Sequence, residues 1–330
     1  MSTWLLKLQR RHTLFVVFLL AFALLASPFT PSLPLSLQLT ILATAVVIFG
    51  LPHGALDLAL VQGACRGTWH APAAAIAVYV AVAAVVLALW LAAPVTALIG
   101  FLAIAVIHFG LGDTEDLNGT QRAVEVVARG GFAGIAPLVF HPQTTRELFA
   151  LLVGPDSTAS LNNTLAIITA PAALLWGSCL VMAVVGRFVQ RQRGWLPATA
   201  ELLLTCAIFA VLHPLAAFVL YFCFVHSIRH IADLGAARFP DSAARARIWL
   251  LLESLPFTIA TIILGATAWF LFGQPSNFDE AMMRIVFWGL SALTMPHMIL
   301  TTWWHGRGDP QPGDLFSSLR KNKPRQCKDA

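Results

Sequence analysis

Long apolar runs separated by short polar breaks dominate this chain. Taking each run between its breakers predicts ten segments, at about 13–28, 35–60, 71–93, 95–111, 122–140, 161–186, 197–212, 214–231, 248–272 and 281–304. Most are close to the roughly 20 residues that carry a helix across a bilayer. Inside hydrocarbon a backbone must satisfy its own hydrogen bonds, which favours helices over open sheet. The expected fold is therefore all-α, a polytopic membrane bundle of about ten transmembrane helices, with eight to ten compatible with the pattern. The stretch 197–231 is too long for one ordinary span, and His213-Pro214 interrupts it. Proline lacks a donor and disfavours helical continuation through the residue before it, so two spans are expected there.

Residues 141–160 form the longest outer loop, and 306–330 read as a basic, disordered cytoplasmic tail. The domain organisation is thus one transmembrane domain over 1–305 followed by that tail. The first apolar run follows a basic flank as a signal peptide does. Pro28 directly after Ala26-Ser27 makes a poor cleavage site, however, and another span follows at once, so a retained first helix is expected.

Charge orients the bundle, because lysine and arginine gather in cytoplasmic loops. With ten spans and a cytoplasmic N-terminus, 18 of the 21 basic residues fall inside, including six in the tail. Arg146 and Arg284 fall outside, while Arg129 lies within a segment, four residues after Glu125. Both termini are then cytoplasmic, in a cell (inner) membrane.

Composition agrees with this reading. The chain is 58% hydrophobic and 11% charged, whereas soluble domains are about 25% charged. The net charge of +5 sits mostly in loops and tail and suits an anionic membrane face. No basic motif with interleaved aromatics points to nucleic acid. The five cysteines form no CxxC and no secreted-type framework.

Against this background, histidines inside apolar sequence are the chemical signal: His53 in GLPHGALD, His108 in IHFGLGD, His226 and His230 in FVHSIRH, and His297 in TMPHMIL. A ligating or ionisable side chain at membrane depth is costly unless it is paired or bound, which makes it a functional-site candidate. In the charge-derived topology all five fall in the inner halves of spans running inward, at one depth. His12, His70, His141, His213 and His305 fall at loops or span ends instead. Residues four apart share a helix face, so His226 and His230 can hold one metal, with His53 and His108 completing four nitrogens. His297 fits as a fifth ligand, as an outer partner or as core.

Neutral imidazole suits zinc, copper, iron and nickel alike. Two open positions on an octahedral ion would serve dioxygen activation, for which Fe(2+) is suited and zinc, lacking redox chemistry, is not. Ligand histidines usually donate their other N–H to a carboxylate or carbonyl. Asp57, Asp113 and Asp233, each three to five residues after a histidine, are candidates for that role. Gly50, Gly54, Gly110 and Gly112 would let helices approach closely.

LPHGALD, HFGLGD and HSIRHIADL, in this order on successive segments, resemble the Brp/Blh family of bacterial and archaeal β-carotene 15,15′-dioxygenases. The likeness spans roughly residues 45–305, and PHMILTTWW is similar to the family's final histidine motif. The resemblance implies an iron(II) enzyme that cleaves β-carotene with O2 at its central double bond, giving two all-trans-retinal. It carries the ligand roles onto His53, His108, His226 and His230, and implies a retinal-binding rhodopsin as downstream partner.

Two other functions would also use membrane histidines. One is a bis-histidine haem protein, with His53 and His108 as axial ligands. The other is a different non-haem iron oxidase acting on lipid or carotenoid, although such enzymes carry more HxxxH and HxxHH motifs than this chain does.

Overall fold

The computed structural model describes residues 3–30, 32–56, 70–114, 117–191, 194–239, 242–272 and 277–306. Among them there is no strand. The helices are α1 (Thr3–Ala26), α2 (Leu35–Ala45), α3 (Leu51–Ala55), α4 (His70–Ala92), α5 (Pro94–Gly112), α6 (Gly119–Gly134) and α7 (Ala136–Phe140). They continue with α8 (Pro142–Val153), α9 (Thr158–Gln190), α10 (Trp195–Val211), α11 (Pro214–Val219), α12 (Ile228–Arg238), α13 (Ala243–Phe272) and α14 (Phe278–Gly306). Two π-helical stretches, Val46–Gly50 and Leu220–Ser227, join α2 to α3 and α11 to α12.

Eight helical stretches among the described residues are long and apolar enough to cross a membrane. They show outward many large apolar side chains, such as Phe18, Val80 and Phe270, as lipid-facing helices must. Two of the ten segments expected from the apolar runs behave differently. The segment 122–140 is divided at Ile135 into α6 and α7, and α6 carries Glu125 and Arg129 fully inward. Helix α10 is apolar but only 17 residues long, about 26 Å, short of a hydrocarbon core of about 30 Å.

The break expected at His213-Pro214 is present. Leu212 is extended, and His213 caps α11 by accepting from the Leu215 N–H at 3.3 Å. Pro214 stands in the first turn, where its missing donor costs nothing. Burial, then the neighbouring His141, hold the His213 imidazole below its ordinary pKa. It therefore stays neutral and keeps the lone pair that the cap needs.

Glycines set the closest approach in the bundle. A Cβ on Gly110 would strike the Val126 carbonyl and one on Gly130 the Val106 carbonyl, so α5 and α6 touch backbone to backbone. Helix α14 is the other organising element and packs on α2, α4, α8 and α13. The core between these layers is aromatic: Phe132 stacks on Phe209 at 5.9 Å, and Trp176 donates to the Ala128 carbonyl at 2.9 Å.

Candidate metal centre

The two π-helical stretches pack against each other, and each delivers a histidine. A π turn inserts an extra residue and rotates everything after it, which is why such turns recur at functional sites. His53 follows the first stretch by three residues, and His226 is the last residue but one of the second. The contact between them is tight, since a Cβ on Gly50 would lie 2.7 Å from Phe222 Cε1. On the neighbouring helix, a Cβ on Gly112 would lie 2.9 Å from His226 Cε1. Gly54 differs from the other glycines of these motifs: nothing stands within 4 Å of its would-be Cβ, and it borders a cavity.

Five imidazoles converge here. The His53 ring is the hub, with centroids 4.2 Å from His230, 5.0 Å from His226, 5.2 Å from His297 and 5.5 Å from His108. His108 is 5.0 Å from both His226 and His297. His226 and His230 lie nearly parallel at 6.5 Å, and the His53 ring is closer to each than they are to one another. His53, His108, His226 and His297 are buried, and His230 is partly so.

One ring nitrogen each of His53, His108 and His297 lies within 4.8 Å of the other two. Neighbouring nitrogens on one ion stand about 3 Å apart at ordinary metal–nitrogen bond lengths, so the three rings would have to draw inward to seat an ion among them. The polar accounting fits such an ion. Both nitrogens of His53 and Nε2 of His226 are buried without a hydrogen-bond partner, and a buried orphan of this kind costs about 1–3 kcal/mol.

The other side of His226 is held firmly. Its Nδ1 is 3.0 Å from Asp113 Oδ1, and the Tyr221 hydroxyl donates to Asp113 Oδ2 at 2.9 Å while lying 3.0 Å from the Arg129 carbonyl. Arg229 Nη1 is 3.8 Å from Asp113 Oδ1. This arrangement fixes the imidazole with Nδ1 protonated and Nε2 turned to the nest. His108 Nδ1 lies 3.1 Å from Met298 Sδ.

Asp113 follows His108 in sequence but meets His226 in space, because the C-terminal end of α5 comes up against His226 at Gly112. The Asp233 carboxylate accepts from Gln9 of α1 at 3.2 Å. Asp57 lies outside the described residues.

A buried ion-pair network adjoins the nest. Arg129 joins Glu125 at 3.1 Å and Glu201 at 2.9 Å. Arg187 holds Glu125 through two bonds of 2.5 and 2.6 Å, and Arg229 holds Glu201 at 2.6 Å. The nest also faces an apolar cavity of about 250 Å³, with His53, His108 and His297 on its wall.

Three contributors escaped the sequence reading. His12 was expected at a span end without a role; it is instead buried within α1, its Nε2 2.9 Å from the Phe224 carbonyl of the second π stretch. Met298 follows His297 in PHMILTTWW but carries no ligand role there, and Tyr221 stands in no motif. Tyr221 is one of only two tyrosines in the chain, and a phenol in so apolar a run is the signal that could have found it.

The family model for beta-carotene 15,15'-dioxygenase matches residues 44–305. The chain is 29% identical to a "Probable beta-carotene 15,15'-dioxygenase Blh" of Halobacterium salinarum, over 79% of this chain and 83% of that protein. It is 29% identical to a "Beta-carotene 15,15'-dioxygenase" of an uncultured marine bacterium, over 78% of this chain and 91% of that one. A "Probable beta-carotene 15,15'-dioxygenase Brp" of Halobacterium salinarum is 26% identical, over 82% and 85%. No solved structure matches the chain.

Proposed function

The chain belongs to the beta-carotene 15,15'-dioxygenase family, and from that premise we propose that it cleaves β-carotene with O2 at the central double bond, giving two all-trans-retinal. The observation that carries this reading is a nest of five histidines, partly unpartnered, on the wall of an apolar cavity within a membrane bundle. A carotenoid dissolves in the bilayer and reaches such a site sideways, between helices. The reaction balances without a further reductant, because one C=C bond and one O2 become two C=O groups.

We assign the metal to Fe(2+), held by His53, His108, His226 and His230, with His297 joining them on the strength of its position beside His53 and His108. Bound there, iron supplies the activation of dioxygen that imidazole alone cannot. The chain's own part is geometric. Asp113 and Tyr221 hold the His226 ring, Met298 lies against His108, and the cavity wall lays the polyene alongside the nest. Choosing among many similar double bonds is a matter of position, so placement contributes most of the selectivity. The apolar wall also excludes water from reactive intermediates.

The bis-histidine haem reading fits poorly. His226 and His297 both crowd within about 5 Å of the His53 and His108 rings, leaving no slot for a macrocycle between those two. In this reading both termini face the cytoplasm and retinal passes to a retinal-binding rhodopsin; the tail expected at 306–330 lies, from residue 307 on, outside the described residues.

The test is chromatography of products from β-carotene and the purified protein, with and without iron(II). Retinal that depends on iron is expected. A Soret band in the purified protein, or no carbonyl product with iron and O2 present, would overturn the proposal.

A further inference from the structure

The cavity beside the histidines is long and closed at one end. Along α14 its lining runs from Leu300 past His297 to Met283, and the arm from His297 to Met283 is fourteen residues, or about 21 Å of helix. Along α5 it runs from His108 to Leu98, ten residues, or about 15 Å. At the far end stand Leu98, Leu152, Met283 and Leu215, all buried, so that end is blind.

Near the histidines the wall is different. There Ile76 and Val80 of α4 and Phe257 of α13 line the cavity while remaining exposed on the outside of the bundle. Tyr79 between them is tied to the Leu293 carbonyl of α14 at 3.0 Å. This is a mouth open to the apolar surroundings, and it lies at the histidine end.

A C40 polyene is about as long as a bilayer's hydrocarbon core is thick, about 30 Å. The blind arm is too short for it and close to the length of one ring-bearing half. Resting on the proposed carotenoid cleavage, we propose that this arm is the ruler that selects the bond. One half of the substrate enters until its ring meets Leu98, Leu152 and Met283, the other half stays in the mouth, and the bond left at the histidines is the central one. Specificity then lies at the blind end, far from the metal.

The experiment changes the depth of the arm and measures products by chromatography. Leu98→Phe and Leu152→Phe shorten it, and Met283→Ala lengthens it. In all three the share of off-centre carbonyl products relative to retinal should rise about tenfold or more, since one or a few carbons of misfit in an apolar pocket carry factors of that order. A shortened arm should give a shorter carbonyl from the inserted half and a longer aldehyde from the other. Val80→Phe at the mouth should raise KM with retinal still the sole product.

Met283→Ala keeps the test alive if the bulkier variants fail to fold. Retinal as sole product from folded Met283→Ala and from whichever shortened variant folds would overturn the ruler. Failure of the underlying reading looks different: the unaltered protein would then form no carbonyl product at all.

Discussion

Two buried polar regions lie side by side in this bundle and are built on opposite principles. In the ion-pair network every charge is answered: Glu125 takes Arg129, Arg187 and Gln121, and Glu201 takes Arg129 and Arg229. In the histidine nest, a few ångströms away, both nitrogens of His53 and Nε2 of His226 have no partner. The two meet at Asp113, which accepts from His226 and lies 3.8 Å from Arg229. A saturated network holds helices in place and has nothing left to bind with. An unsaturated nest of neutral donors is costly by itself, and in the proposed function a bound ion would complete it. The network supplies the fixed frame from which the nest can remain unfinished.

The comparison breaks most sharply in activity. His108→Ala should lower retinal formation roughly a thousandfold or more, as when one member of a set acting as a unit is lost, with the protein still extracted intact; retained turnover would remove His108 from the site. Arg129→Met leaves Glu125 with Arg187 and Glu201 with Arg229, so the three buried carboxylates Glu125, Glu201 and Asp113 are left with two arginines and one charge in excess. It should cost about 3–5 kcal/mol, read as a lower melting temperature in detergent whether or not iron is present.

At the junction, Asp113→Asn keeps the shape but loses the carboxylate that orients His226. An iron titration should find affinity reduced about 10–100-fold, whereas a purely structural Asp113 would leave the titration unchanged. The nest should answer in the opposite sense from the network: in the presence of a chelator, His53→Leu should stabilise the protein by about 1–3 kcal/mol, because it removes unpaired buried nitrogens. A loss of stability there would mean that the nest is a saturated structural cluster after all.

A histidine outside both regions sets the baseline. His213→Ala should cost about 1 kcal/mol through the lost cap on α11. The His213 pKa is lowered in the fold, so the cap's contribution is fully present above the ordinary histidine pKa and disappears as pH falls through the lowered value. A melting series against pH, with and without the substitution, checks both sign and size.

Much of this was legible in the residues. Apolar runs gave the helices because a bilayer admits few other backbones. His53, His108, His226 and His230 stood out because imidazole is conspicuous in such runs. The segment 122–140 misled because its apolar residues outweighed Glu125 and Arg129, charges that belong to a helix buried among others and not to one facing lipid. The i, i+4 spacing of His226 and His230 suggested one shared face. Their rings lie nearly parallel at 6.5 Å, and the His53 ring is closer to each than they are to one another. Asp113 was near His108 in sequence, yet its partner is on another helix.

The sequence by itself determined an all-helical membrane bundle and the imidazoles that make it chemical, since both follow from local composition and periodicity. Tertiary structure alone decided that His297 stands beside His53 and His108, that Asp113 serves His226, and that a blind apolar arm leads away from them. Those facts depend on how helices cross and where π turns rotate them, and such crossings are set by contacts between residues far apart in the chain.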